Sequence, residues 1–121
     1  MRKLLVAPRA QRDIDAALHD SAERHGLNAA RRYRQLIILT IQALHEHPGR
    51  PAARPIGAGD LRLYALRNAA RQLDLSAPVR APSHLVVFRF DEEVVEIVRL
   101  LHEAMDLPRH LGLADETSGD D

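Results

Sequence analysis

Four cationic side chains in the second half of the chain have the chemistry for metal-free cleavage of a phosphodiester bond. That reaction needs a group to take the 2′-hydroxyl proton, a group to protonate the leaving oxygen, and cations to stabilise the phosphorane charge. Histidine titrates near neutrality, and arginine presents a planar fork that suits phosphate. The candidate catalytic residues for this nuclease chemistry are Arg62, Arg89, Arg99 and His102.

For two of these residues a structural role is the favoured interpretation. Arg99 stands between Val98 and Leu100, where a guanidinium in an apolar strand is more often paired with a carboxylate such as Asp106. His102 ends the same predicted strand, a position at which an imidazole often hydrogen-bonds to the backbone. The sequence therefore favours a structural role for both residues and leaves catalysis as the alternative.

Another pair of side chains is a candidate for contact with a macromolecular target. Arg62 and Tyr64 lie two residues apart on a predicted strand, so they share a face, and we expect both to be exposed. Tyr33 instead belongs to the apolar stripe of a predicted helix and is expected in the core.

The sequence predicts neither a metal nor a cofactor. His45, Glu46 and His47 are consecutive, so their side chains cannot share one face of a helix. Gly57 and Gly59 are expected to follow no strand and to open no helix, which argues against a phosphate-binding loop. The absence of cysteine excludes disulfides, zinc ribbons and thiol catalysis.

Length and composition predict one domain over residues 1–111, followed by an acidic, disordered tail over residues 112–121. The chain has 121 residues and is 45% hydrophobic, which is enough for a core without covalent staples. Its N-terminus carries only a short apolar run, Leu4–Ala7, too short for a signal peptide or a membrane span. We therefore expect a cytoplasmic chain without membrane contact.

Charge is segregated although the formal net charge is zero. Seven arginines between positions 50 and 90 are opposed there by Asp60 and Asp74 alone. The middle third is therefore basic. It is either a set of solvated loop arginines or a surface that faces nucleic acid or an acidic partner.

Hydrophobic periodicity predicts an α+β fold. The N-terminal strand and an αα-hairpin pack on a small antiparallel β-sheet, in the order β-α-α-β-β-β with a short C-terminal helix or turn. The predicted elements are a strand Leu4–Ala7, a helix from Pro8 to Gly26, a helix from an N-cap at Asn28 to about His47, a strand Leu61–Leu66, a hairpin within His84–His102, and a terminal turn Glu103–His110. The segment Asn68–Pro82 has no assignment as helix or loop, although residues 70–75 could form one helical turn.

The order of elements and several motifs resemble the ParE/RelE superfamily of bacterial toxins, and in particular its ParE-like branch. The motifs run from residue 3 to residue 111. They are Pro8-Arg9-Ala10, Gly26 with Ala29-Ala30 and Tyr33, Pro48-Gly49, Leu61-Arg62-Leu63-Tyr64, His84 to Arg89, Ile97 to His102, Met105-Asp106 and Arg109-His110-Leu111. The insertion Asn68–Ser83 and the acidic tail depart from the family pattern.

The resemblance implies the toxin of a type II toxin–antitoxin module that inhibits DNA gyrase and forms a hetero-oligomer with a cognate, ParD-like or other antitoxin. Two alternatives are a RelE-like endoribonuclease that cleaves mRNA on the ribosome and a non-toxic member that acts only in a repressor complex. The RelE-like constellation of lysines and a terminal tyrosine or histidine is incomplete, since Lys3 is the only lysine and the terminal turn offers only His110. The wide apolar surface of the second helix and the basic middle third predict the antitoxin-binding residues Leu36, Leu39, Arg54, Arg67 and Arg89.

Overall fold

The computed structural model describes residues 1–72, 79, 82–105, 109 and 111. The helices are α1 (Pro8–His25), α2 (Leu27–Glu46) and α3 (Leu66–Gln72), and the strands are β1 (Lys3–Val6), β2 (Arg54–Pro55), β3 (Arg62–Ala65), β4 (His84–Phe90) and β5 (Val94–His102). The predicted tail and part of the predicted terminal turn lie outside the described residues. In the part of the chain that is described, no helix is long and apolar enough to cross a membrane.

The strands form one sheet in the order β1-β5-β4-β3-β2. The predicted hairpin is confirmed as β4 and β5, whose connecting turn is fixed by Asp91 Oδ1, an acceptor for the amides of Glu93 and Val94 at 2.8 Å each. Val87 pairs with Arg99 while Phe88 pairs with Ile97, so β5 carries one extra residue as a bulge.

The predicted fold class is confirmed, with one difference in the sheet. β1 runs parallel to β5, with Lys3 opposite Val94 and Val6 opposite Ile97, so the sheet is mixed and not purely antiparallel. Parallel neighbours require a long connection between them, and here the whole chain from α1 to β4 separates the two strands.

The two long helices form a hairpin joined by a single residue. Pro8 opens α1 at a position where its missing N–H costs nothing, and Ile14 and Ala17 face the core. Gly26 ends α1 and precedes α2 with φ of +91°, a conformation that a side chain would strain. The predicted N-cap at Asn28 is wrong, because α2 has already begun at Leu27.

Each face of the sheet carries a cluster of buried apolar side chains. The helix-side cluster includes Leu36, Ile37 and Leu44 of α2 together with Tyr64 and Phe88 of the sheet. The opposite cluster contains the side chains of Leu63, Leu85, Val87 and Leu101, with Leu111 packed against it.

Two elements were not predicted. α3 starts directly after β3, where good helix formers follow one another, and it buries Leu66 and Ala69. β2 lies in the Pro/Arg/Gly loop and pairs with β3, so Gly57 does follow a strand, contrary to expectation. The loop leads into β3 and not into a helix, and therefore it offers no helix N-terminus to a phosphate.

Candidate functional site

Arg99 is held by an aspartate of α1. Its Nε lies 2.7 Å from Asp13 Oδ2 and its Nη2 lies 3.2 Å from Asp13 Oδ1. The same carboxylate accepts a hydrogen bond from the Leu100 amide at 3.0 Å. The Arg99 and Asp13 side chains are only 11% and 18% exposed. The structural interpretation of Arg99 is therefore supported, although its carboxylate partner is Asp13; the expected partner, Asp106, lies outside the described residues.

His102 has the backbone contact that its position suggested. Its Nδ1 accepts a hydrogen bond from the Ala104 amide at 3.0 Å. The ring also meets that of His84, its cross-strand partner, edge to face with centroids 5.3 Å apart. Both contacts fix the imidazole at the end of β5.

Tyr33 is buried, as expected, and it links α2 to the start of β4. Its hydroxyl lies 2.7 Å from His84 Nδ1 and accepts a hydrogen bond from the Ser83 amide at 3.3 Å. Burial raises the pKa of Tyr33; burial and, secondarily, the charge of His102 lower the pKa of His84. Both groups are thus neutral near pH 7, and we infer that the Tyr33 hydroxyl donates to His84 Nδ1. A cavity of about 490 Å³ opens beside this pair.

Arg89 lies on the face of the sheet opposite the helices and is bonded to acidic neighbours. Its Nε is 2.8 Å from Glu96 Oε1 on the adjacent strand, and its Nη1 is 4.0 Å from Asp60 Oδ1. The hydrogen bond to Glu96 raises the pKa of Arg89 further. The guanidinium remains half exposed to solvent.

Arg62 and Tyr64 differ in accessibility. Tyr64 is only 1% exposed, so the expectation that it lies on the surface is wrong: its strand face turns toward the helices, and the guanidinium of Arg50 covers its ring at 5.8 Å. Arg62 is half-buried, with its Cζ 5.5 Å from the centre of the Phe90 ring. Arg62 is therefore the accessible member of the predicted target-contact pair.

The four candidate catalytic residues do not form one centre. Arg89 lies opposite Glu96 and His102 lies opposite His84. Arg89 and His102 are therefore near opposite ends of the β4–β5 hairpin, about 17 Å apart along the strand direction. Acid and base groups must approach the reacting atoms to about 3 Å. Arg99 faces α1, whereas Arg89 faces the opposite side of the sheet.

The predicted antitoxin-binding residues fall on different surfaces. Leu36 is 0% exposed and belongs to the core, so it offers no surface to a partner. Leu39 is half-buried and packs in neither core cluster. Arg54 and Arg67 are exposed on the other side of the sheet, where they line a cavity of about 430 Å³ together with Glu103, which forms an ion pair with Arg67.

Metal binding finds no support in the residues that are described. Within these ranges, no three His, Asp or Glu side chains come close enough to hold an ion. His45, part of the consecutive triplet, instead places Nε2 2.5 Å from the carbonyl oxygen of Arg2.

Sequence reasoning missed two groups of residues. Asp13 could have been found, because it is an acidic residue beside the inward-facing Ile14 and Ala17 of α1. The contacts of Arg2 and Arg50 with aromatic rings could not have been predicted, because the partners Phe90 and Tyr64 are not close to them in sequence.

The fold defines a class of small α+β proteins in which a helical hairpin covers a mixed sheet. A chain of the chromosomal ParDE toxin–antitoxin system from P. aeruginosa shares this fold, with a TM-score of 0.66 and 19% identity over 84% of this chain and 96% of that one.

Sequence comparisons narrow the class to a family. The family described as the ParE toxin of the type II toxin–antitoxin system parDE matches residues 4–107. Toxin ParE1 from Caulobacter vibrioides is 32% identical over 113 residues, which cover 93% of this chain and 100% of that protein. The chain belongs to the ParE toxin family of type II toxin–antitoxin systems.

Proposed function

We propose that this toxin acts as a binding protein that inhibits DNA gyrase and is neutralised by a cognate antitoxin. The observation that carries the proposal is the similarity to a ParE toxin along its entire length, because ParE-like toxins are associated with gyrase inhibition. The separation of Arg89 from His102 and the engagement of Arg99 by Asp13 favour a binding role over RNA cleavage.

Arg62 is our candidate for contact with the target. It is half-buried, it packs over Phe90, and no carboxylate in the described ranges forms a salt bridge with it. A guanidinium that is ordered but not neutralised keeps hydrogen-bond donors for a partner.

The proposal is tested by adding the purified chain to DNA gyrase and measuring supercoiling and trapped cleavage complexes, with bulk translation measured in parallel. We expect loss of supercoiling with translation intact. The variant Arg62→Ala should inhibit several-fold less well, whereas Arg71→Ala, which removes an exposed arginine of α3, should match the parent chain. Translation arrest with unaffected gyrase would show a ribosomal target instead. No effect on either assay or on growth would favour a non-toxic member of a repressor complex.

We propose that the antitoxin docks on two areas, which contain those predicted antitoxin-binding residues that are accessible to a partner. Leu39 and its neighbour Ile38 on α2 are half-buried apolar side chains outside both core clusters. Arg54 and Arg67 line the cavity on the opposite side of the sheet and suit an acidic segment. A partner that reaches both areas must wrap around the domain, as segments that fold on binding do.

A further inference from the structure

Three arginines from distant parts of the chain converge on two aromatic rings; we call Arg2, Arg50 and Arg62 the arginine cluster. The Cζ atoms of Arg2 and Arg62 lie 5.4 and 5.5 Å from the centre of the Phe90 ring. The separation of these two Cζ atoms is therefore no greater than the sum of the two distances. The Cζ of Arg50 lies 5.8 Å from the centre of the Tyr64 ring, and Tyr64 and Arg62 share a face of β3.

Backbone carbonyls fix each of the three guanidinium groups. The bonds run from Arg2 Nε to Asp91 O at 2.6 Å, from Arg62 Nη1 to Ala53 O at 3.4 Å, and from Arg50 Nε and Nη2 to His47 O at 3.2 Å and Ala43 O at 3.0 Å. A guanidinium has five N–H donors, so each group keeps donors beyond these bonds. Groups held in place in this way lose less side-chain entropy when they bind a ligand.

The positive charge of the cluster is not neutralised by salt bridges. Within residues 1–72, 79, 82–105, 109 and 111, no Asp or Glu forms an ion pair with any of its members, whereas Arg24, Arg67, Arg89 and Arg99 are all paired. Glu46 lines the adjacent cavity, and the carboxylate of Asp91 already accepts the amides of its own turn. Glu92 and Glu93 lie in the same turn as Asp91. The three cations thus have several carboxylates in their vicinity, and none of those named forms an ion pair with them.

The surface beside the cluster is lined by a mixture of charged, polar and apolar groups. Arg2 and Arg50 border an open cavity of about 610 Å³ together with His47, Gln72 and the Phe90 ring that the arginines cover. None of the large exposed apolar side chains of the described region lines it. Contacts to phosphate need fixed guanidinium forks, and Arg2 and Arg50 present two of them at the edge of this cavity.

We propose that the arginine cluster binds the phosphodiester backbone of a nucleic acid, independently of base sequence. The proposal goes beyond gyrase inhibition, because it concerns direct binding of nucleic acid by the toxin and holds whether or not gyrase is the target. It predicts an affinity that depends steeply on salt, since every phosphate that an arginine contacts releases counterions.

The test compares two double variants of the full chain. Arg2→Gln with Arg62→Gln removes two members of the cluster, and Arg50 stays because it also caps the end of α2. Arg31→Gln with Arg34→Gln removes two exposed arginines of α2 as a charge-matched control. The probes are a fluorescein-labelled DNA duplex of arbitrary sequence and a labelled single-stranded RNA, whose fluorescence anisotropy is measured between 50 and 200 mM salt.

We expect the cluster variant to bind at least one probe about tenfold or more weakly than the parent chain at 50 mM salt. The slope of log K against log salt should become less negative by about 1.8, or about 0.9 for each lost contact. The control should keep the parent slope. A preference for the duplex or for the RNA would identify the source of the phosphate.

Several results would overturn the proposal. The first is an absence of binding by the parent chain at 50 mM salt, and the second is an equal loss of affinity in both double variants. The third is a polyglutamate peptide that binds the arginine cluster as tightly as the nucleic acids do, because the cluster would then be a site for an acidic protein segment. Circular dichroism verifies folding. If the double variant does not fold, Arg2→Gln alone carries the test, with an expected slope change of about 0.9.

Discussion

The Asp13 carboxylate binds the Arg99 guanidinium with both oxygens and also accepts the amide of Leu100. Pairs that are this far removed from water are individually costly, because each charge loses hydration, and they are tolerated only when both partners are present. Removal of either side chain leaves the other charge largely buried without its ionic partner. Arg99 and Asp13 thus act as a clamp between α1 and the sheet.

We predict that Arg99→Ala lowers the free energy of unfolding by about 2–4 kcal/mol, because it leaves Asp13 unpaired. The matched variant Arg89→Ala removes an ion pair that is half exposed, and it should cost less than about 1 kcal/mol. Urea unfolding followed by circular dichroism measures both. A stable Arg99→Ala protein that has lost its toxicity would instead identify Arg99 as a residue of the functional site.

The burial of His84 predicts a pH-dependent stability. Folding lowers the pKa of His84 from its ordinary value of 6.5, so the unfolded chain holds the proton more tightly. The contribution to stability is complete above pH 6.5 and declines as the pH falls toward the lower pKa of the folded state. We expect the parent chain to lose stability between pH 7.5 and 5 more steeply than His84→Gln does.

The matched control for this pH series is His19→Gln, since His19 is exposed on α1. The dependence of the unfolding free energy on pH should change more in His84→Gln than in His19→Gln. Parallel curves for His84→Gln and the parent would contradict the assignment of the effect to His84.

At the level of elements, α2 uses most of its apolar surface inside the domain. Leu36, Ile37 and Leu44 are buried against the sheet, while Ile38 and Leu39 remain half-buried. A helix that is apolar on most sides is expected to be buried on more than one side. The sequence therefore indicated extensive burial but could not say which leucines the fold itself would use.

Leu36→Ala and Leu39→Ala should separate folding from antitoxin binding. Leu36→Ala opens a cavity in the core and should cost about 2–5 kcal/mol of stability. Leu39→Ala should cost much less and should weaken antitoxin binding, measured by isothermal titration calorimetry. Unchanged affinity in Leu39→Ala would remove α2 from the proposed docking area.

Elements differed in how far the sequence could predict them. The β4–β5 hairpin was predictable because β-branched and aromatic runs flank a short acidic turn whose Asp91 side chain satisfies the backbone locally. Helix α3 was not predictable, because a helix of seven residues depends more on the packing of Leu66 and Ala69 than on the helix propensity of its residues. β2 likewise exists only because β3 is there to pair with it.

The whole molecule presents separate surfaces on its two sides. The cavity with Arg54 and Arg67 lies on the sheet face away from the helices, whereas Leu39 lies on α2. The arginine cluster lies at the end of α2, beside the β4–β5 turn. An antitoxin that covers the first two areas therefore need not cover the third.

Antitoxin binding should raise the melting temperature of the chain. A ligand that binds only the folded state stabilises it by about 2.7 kcal/mol at a free concentration of 100 Kd and by about 4.1 kcal/mol at 1,000 Kd. Differential scanning fluorimetry across an antitoxin titration measures the effect. The double variant Arg54→Gln with Arg67→Gln should shift the curve to higher antitoxin concentration. A melting temperature that is independent of antitoxin would disprove the proposed neutralisation.

Local patterns in the chain were enough to predict the fold class, the position of the helical hairpin and the family, because periodicity, turn residues and motifs involve residues that are close in sequence. Which charged side chains are free to act depends instead on contacts between distant parts of the chain. Arg99 meets Asp13, Tyr64 is covered by Arg50, and Arg2 joins Arg62 over Phe90, all across long sequence separations. Such pairings are set by how the helices pack on the sheet, and no local pattern encodes them.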